Sequence, residues 1–140
     1  SAAAREMLIV KVKSGRLADA MREELNPVWL APGPDRAAIL EIALDMADTL
    51  GPEVYVRQAR ALQRARDQQA VLRKCKVPTL VMCGEVGRLN PVKRHSFMAE
   101  LLPYAILRVI EGAGHLPTLE QPEATTAAIK EWLKMPLTPA

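Results

Sequence analysis

Aromatic side chains are scarce: two Trp, two Tyr and one Phe make up 4% of the 140 residues. That is too few for the stacking platforms on which single-stranded nucleic acids are bound. Cysteine occurs only as Cys75 and Cys83. Two thiols make no disulfide framework, and neither a C-x-x-C pair nor paired histidines accompany them, so no zinc pattern is present. They read as free thiols in a reducing, cytoplasmic compartment. No apolar run approaches the roughly 20 residues of a membrane-crossing helix; Met7-Leu8-Ile9-Val10 is cut by Lys11 and Lys13. Charged and apolar residues interleave at the N-terminus, unlike a secretory signal. An initiator Met is also missing, so Ser1-Ala2-Ala3-Ala4 reads as a processed end, a tag remnant or the start of an excised segment. A net charge of only +3 leaves no electrostatic footprint for nucleic acid.

What remains is the composition of one ordinary folded domain, with 49% hydrophobic and 25% charged residues. Its pattern changes near residue 76. Before that point the period is helical. A helix over 5–13 should end at Ser14-Gly15, where glycine takes a positive φ cheaply. Leu17, Ala20, Met21 and Leu25 share one face of a helix over 16–25. Asn26-Pro27 and Ala31-Pro32-Gly33-Pro34 form a breaker-rich loop, after which Asp35 is placed to cap the next helix. That helix carries Ala38, Ile39, Ile42, Ala43, Met46 and Leu50 until Gly51-Pro52 stops it. A fourth, over 53–65, should face inward with Val54, Tyr55, Gln58, Ala59 and Leu62, and outward with Arg57, Arg60 and Arg64. The basic series continuing through Arg66, Arg73, Lys74 and Lys76 reads as a solvated helix face running into a linker.

After Lys76 the apolar residues cluster in short runs. Residues 77–83 read as a strand buried on both faces of a parallel sheet. Pro91 starts a helix running to about 102, residues 106–110 form a second strand, and a last helix begins near Gln121-Pro122-Glu123. Strand, helix, strand, helix is one βαβ unit with a closing helix. In open α/β sheets the functional groups stand just beyond the carboxyl ends of the strands. His115 has that position, after Gly112 and Gly114, whose freedom should bend the chain and leave the imidazole clear. An imidazole titrates near physiological pH, which suits it to general-base work; the plainer reading is a ring that bonds a loop carbonyl.

Specific blocks sharpen this. Pro78-Thr79-Leu80-Val81-Met82-Cys83-Gly84, Leu89-Asn90-Pro91, the run from Val109 through Gly112-Ala113-Gly114-His115-Leu116-Pro117, and Leu119-Glu120-Gln121-Pro122-Glu123 together resemble the C-terminal portion of an α/β-hydrolase. Arg57-Gln58-Ala59-x-Ala61 resembles the last helix of that family's cap. The resemblance implies an α/β fold: a helical cap segment over 1–76, followed over 77–140 by a β-α-β-α unit of the hydrolase core with a partial parallel sheet. It implies esterase-like acyl hydrolysis of a small ester-like substrate in the complete protein, with His115 as the base and no cofactor or metal.

Two departures stand beside the match. The family's serine sits in a G-x-S-x-G elbow. The serines here are Ser1, Ser14 and Ser96, none between such glycines. The family's acid falls at position 87, which is Gly87. Glu85 and Glu111 lie near the same sheet edge, and Glu85 could substitute only through a rearranged loop; Cys83 is a possible thiol nucleophile or a small buried hydrophobe; Glu120 could cap the last helix or brace the histidine loop. The chain alone is therefore expected to be inactive. The alternative is a non-catalytic binding or assembly module on a hydrolase-derived scaffold. Neither reading involves nucleic acid or a membrane. A two-stranded sheet leaves open edges, so self-association is expected.

Overall fold

Proline and glycine cut the first third of the chain into helices, and the cuts fall close to where the pattern places them. The computed structural model describes residues 1–139. Those residues form two compact units, one of Ser1–Pro27 and Ala37–Arg66, the other of Val28–Arg36 with the described residues from Asp67 onward.

The first unit is all helical: α1 (Ala2–Lys13), α2 (Leu17–Glu24), most of α3 (Arg36–Leu50) and α4 (Pro52–Arg64). Ser1 caps α1 through its Oγ, which accepts from the Ala4 amide at 3.2 Å, satisfying a donor that the first turn leaves free. The other end closes as expected, with Gly15 at φ 88°. Ile9 and Val12 of α1 are fully buried, joined in the core by Ala20, Ile39, Ala43 and Ala59. The expected stripe on α3 is only half realised. Ile42, Met46 and Leu50 are exposed, because periodicity tells which side of a helix is apolar and not what covers it.

On α4 the assignment of faces needs correction. Arg60 is not on the solvated side: its guanidinium pairs with Glu6 of α1 and bonds Gln63, while Leu62 is exposed. An arginine can lay its aliphatic stem on a helix surface and still reach a carboxylate. Gln63 and Arg60 together hold the Glu6 carboxyl below its usual range. Tyr55 donates to Glu24 at 2.7 Å, and burial, reinforced by that carboxylate, pushes its phenol well above the ordinary tyrosine value.

The second unit carries the sheet. It contains α5 (Gln69–Lys74), β1 (Thr79–Gly84), α6 (Val92–Leu101), β2 (Ala105–Ile110), α7 (Pro117–Glu120) and α8 (Pro122–Leu133). β1 and β2 pair in parallel, Thr79 with Ala105 through Gly84 with Ile110, and α6 makes the crossover. The ladder opens when the Thr79 amide donates to the Tyr104 carbonyl at 3.0 Å; Pro78 has no amide to give, which keeps Val77 outside the strand. α5 lies in the stretch expected to be a linker. Its charges hide a single turn and a half of helix from any periodicity test.

Ile110, Ala113 and Ala128 form the core against which Leu80 and Met82 pack, and the Trp132 indole nitrogen donates to the Pro78 carbonyl at 3.0 Å. Burial on both faces is incomplete. Val81 and Cys83 are buried, Leu80 and Met82 only partly, and Val109 of β2 is exposed. Each strand has one edge without a partner strand among the described residues. No helix among them is long and apolar enough to cross a membrane.

Candidate functional site

Parallel register brings the carboxyl ends of β1 and β2 side by side, and the loops leaving them are stitched together by backbone bonds. The Glu85 amide donates to the Ile110 carbonyl at 2.9 Å and the Val86 amide to the Ala113 carbonyl at 3.0 Å. These two bonds carry the pairing past the strands and press the end of β1 against the turn that precedes His115.

Three glycines make that approach possible, for different reasons. Gly112 has φ 71°, the left-handed region that side chains resist. Gly114 does not share that conformation. A Cβ there would stand 2.5 Å from the Trp29 carbonyl oxygen, so it is glycine because another backbone lies against it. Gly84 is tighter still, since a Cβ would meet the Gly114 oxygen at 2.1 Å. The expectation that Gly112 and Gly114 both serve to bend the chain is therefore half right: one bends it and the other makes room.

His115 is half-buried at the rim. Its backbone amide donates to the Trp29 carbonyl at 2.8 Å. The Glu120 carboxylate accepts from the amides on either side, Gly114 at 3.0 Å and Leu116 at 2.9 Å, and from Ala31 at 2.6 Å. Of the two roles open to Glu120, bracing the loop is the one the structure shows. Glu85 also goes to the backbone, accepting from the Gly112 amide at 3.1 Å. Its carboxylate steadies the base of the turn.

Position 87 lies against the same turn. A Cβ on Gly87 would sit 3.3 Å from the carbonyl oxygens of Asn90 and Gly84, and 3.9 Å from that of Gly114, the residue before His115. The two internal serines lie elsewhere. Ser14 closes α1, its hydroxyl donating to the Lys11 carbonyl at 2.7 Å, and Ser96 lies within α6; neither stands in a turn directly after a strand. Glu111 is exposed. Among the described residues, no group of three His, Cys, Asp or Glu side chains stands together as metal ligands.

Cys83 is buried in β1, and burial pushes its thiol pKa up, which lowers the thiolate fraction at any given pH and with it the nucleophilicity. Cys75 is half-buried, with its Sγ 4.0 Å from the Thr79 hydroxyl. Iodoacetamide at pH 8 should label Cys75 at least tenfold faster than Cys83, read by peptide mass spectrometry. Equal rates would mean that β1 opens readily.

Sequence reasoning missed two parts of this site. One is the segment Val28–Arg36, which supplies Trp29 O and Ala31 N from the helical half of the sequence. Backbone atoms leave no mark in a sequence. The other is α7, where Pro117 and Glu120 did leave one: proline in the first turn followed by an acid is a helix-start signature.

No protein-family model matches the chain, and no curated protein does. Solved structures do. An esterase from Thermogutta terrifontis, with malate bound, is 29% identical with a TM-score of 0.86, the match covering 95% of this chain and 49% of the esterase. An esterase from Exiguobacterium antarcticum follows at 21% identity and TM-score 0.78, over 96% of this chain and 49% of its own. The α/β-hydrolase MGS-M2 from a Medee basin deep-sea metagenome matches at 18% identity and TM-score 0.68, over 99% and 52%. The chain thus spans about half the length of the structures it matches. Its parallel βαβα unit, with the glycine-framed histidine turn beyond the strand ends, has the fold of one half of those enzymes: the chain has the architecture of a partial α/β-hydrolase core.

Proposed function

We propose that this chain supplies the general base of an esterase-like active site, and that it does not hydrolyse esters on its own. His115 would take the proton from an attacking serine hydroxyl and return it to the leaving alcohol. That serine and its oxyanion donors would come from outside the described residues, and the substrate would be a small ester. The observation that carries the reading is the adjacency of position 87 to the histidine turn, 3.9 Å from a Cβ to Gly114 O. A carboxylate borne there would lie beside the turn that carries the imidazole, which supports a role in orienting it.

A second reading, a binding or assembly module that no longer catalyses, is favoured by where the acids go. Glu85 and Glu120 are both taken up by backbone amides, and Gly87 offers none. One fold supports either outcome. The two separate in a chimaera in which the preceding half of the Thermogutta terrifontis esterase is fused to this chain. Aryl-ester hydrolysis gained with Gly87→Asp and lost again with His115→Ala supports the first reading. A folded chimaera that stays inactive supports the second.

The open strand edges further support self-association of the chain. Size-exclusion chromatography with light scattering should give a mass at least twice that of the 15.4 kDa chain. A monodisperse monomer up to about 100 μM, the upper part of the range where exposed edges associate, would remove this element.

A further inference from the structure

We propose that Glu120 is the positioning residue for His115, holding its main chain from both sides and tying it to the segment Val28–Arg36. The proposal rests on the reading of His115 as the base. Three successive amides run through the turn. Those of Gly114 and Leu116 both end on Glu120 Oε2, at 3.0 and 2.9 Å. The one between them, on His115, ends on the Trp29 carbonyl at 2.8 Å. Glu120 Oε1 then reaches the Ala31 amide at 2.6 Å, two residues beyond Trp29.

The peptide planes on both sides of the His115 Cα are thereby fixed, and the direction in which the imidazole leaves the chain is fixed with them. The arrangement requires a carboxylate. Both of its oxygens accept and neither donates. A glutamine of the same shape places an NH₂ group against at least one amide N–H whichever way it is turned, so Glu120→Gln breaks one side of the clamp and opposes donor to donor. Bonds from amides to an ionised acceptor are also shorter and stronger than those to a neutral one. The clamp is held from below as well: the Thr125 hydroxyl, buried, donates to the Pro117 carbonyl at 3.0 Å and seats α7 on α8.

The chain has two histidines, so its imidazole spectrum contains its own reference. His95 lies in α6, with its Nδ1 3.2 Å from the Pro91 carbonyl. In the full chain, Glu120→Gln should raise amide hydrogen exchange at Gly114, Leu116 and Ala31 at least tenfold. The His115 ring signals should shift and broaden while those of His95 stay fixed. Glu123→Gln, an exposed charge removed in the first turn of α8, should leave both histidines unchanged. Faster exchange with an unmoved His115 ring would make Glu120 a structural brace only and overturn the proposal.

If Glu120→Gln fails to fold by circular dichroism, the parent chain decides. Scalar couplings through the hydrogen bonds from the Glu120 carboxylate carbon to the Gly114 and Leu116 nitrogens should be observable, and their absence would overturn it. None of these readouts needs ester turnover, so an inactive chimaera with an intact His115 response would count against the esterase reading alone.

Discussion

In the chimaera with the preceding half of the Thermogutta terrifontis esterase, Gly87→Asp should raise kcat for an aryl ester by on the order of 10⁴, the factor that an orienting carboxylate contributes in a Ser-His-Asp triad. The size follows from what the acid does. It holds the imidazole in the tautomer that presents a bare nitrogen to the serine, and it stabilises the imidazolium once the proton has moved. Without it the ring is free to carry its proton on the wrong nitrogen. The turn can receive the side chain. Gly87 does not have a left-handed φ, and an added Cβ sits 3.3 Å from two carbonyl oxygens in an exposed loop, so the backbone need give only a few tenths of an ångström. KM should change little, because the acid touches the base and not the substrate. A Gly87→Asn variant, equal in size but uncharged, should recover far less. Equal activity in the Gly87→Asp and Gly87→Asn forms would show that the carboxylate has no part in the mechanism.

The same residues show which parts of the site a sequence can reveal. The strands and the histidine turn were legible because their cues are side chains in order: a short apolar run closed by Gly84, then Gly-x-Gly-His after a second run. The parallel pairing followed from the crossover helix between them. What stayed hidden is carried by backbone. Trp29 and Ala31 meet the histidine turn through a carbonyl and an amide, groups that any residue possesses. Their presence 83 or more positions away along the chain is recorded only indirectly, in Gly114, which has to be glycine to let them in. Glu120 was readable as either a cap or a brace because both uses of a carboxylate need the same residue. Only the loop's path decides between them. Arg60 misled for the converse reason: its periodicity places it opposite the small apolar residues of α4, but a long side chain can reach Glu6 on the neighbouring helix.

Replacing Gly84 should cost more stability than any other glycine substitution in the turn. A methyl at Gly84 meets the Gly114 oxygen at 2.1 Å, the Ala113 oxygen at 2.3 Å and the Ala113 carbonyl carbon at 2.6 Å. All three are main-chain atoms, so no rotamer change relieves the contact. The end of β1 must retreat from the histidine turn by about 1 Å, the gap between these distances and ordinary packing contact. The bonds from Glu85 N to Ile110 O, from Val86 N to Ala113 O and from Gly112 N to the Glu85 carboxylate span that gap and lengthen with it. Overpacking of this kind costs about 1–3 kcal/mol, and each weakened hydrogen bond adds about 1 kcal/mol. Gly84→Ala should therefore lose on the order of 3 kcal/mol or more, lowering Tm by roughly 10 °C for a chain of this size. Gly87→Ala is the matched control. Its nearest contacts are at 3.3 Å, and its loss should stay below about 1 kcal/mol, because reducing the freedom of the unfolded chain offsets a small steric cost. Thermal melts followed by circular dichroism measure both. If Gly84→Ala melts within 2 °C of the parent, a shift worth less than about 1 kcal/mol, then β1 and the histidine turn are not in contact, and His115 is not held where the proposed role as base would require it.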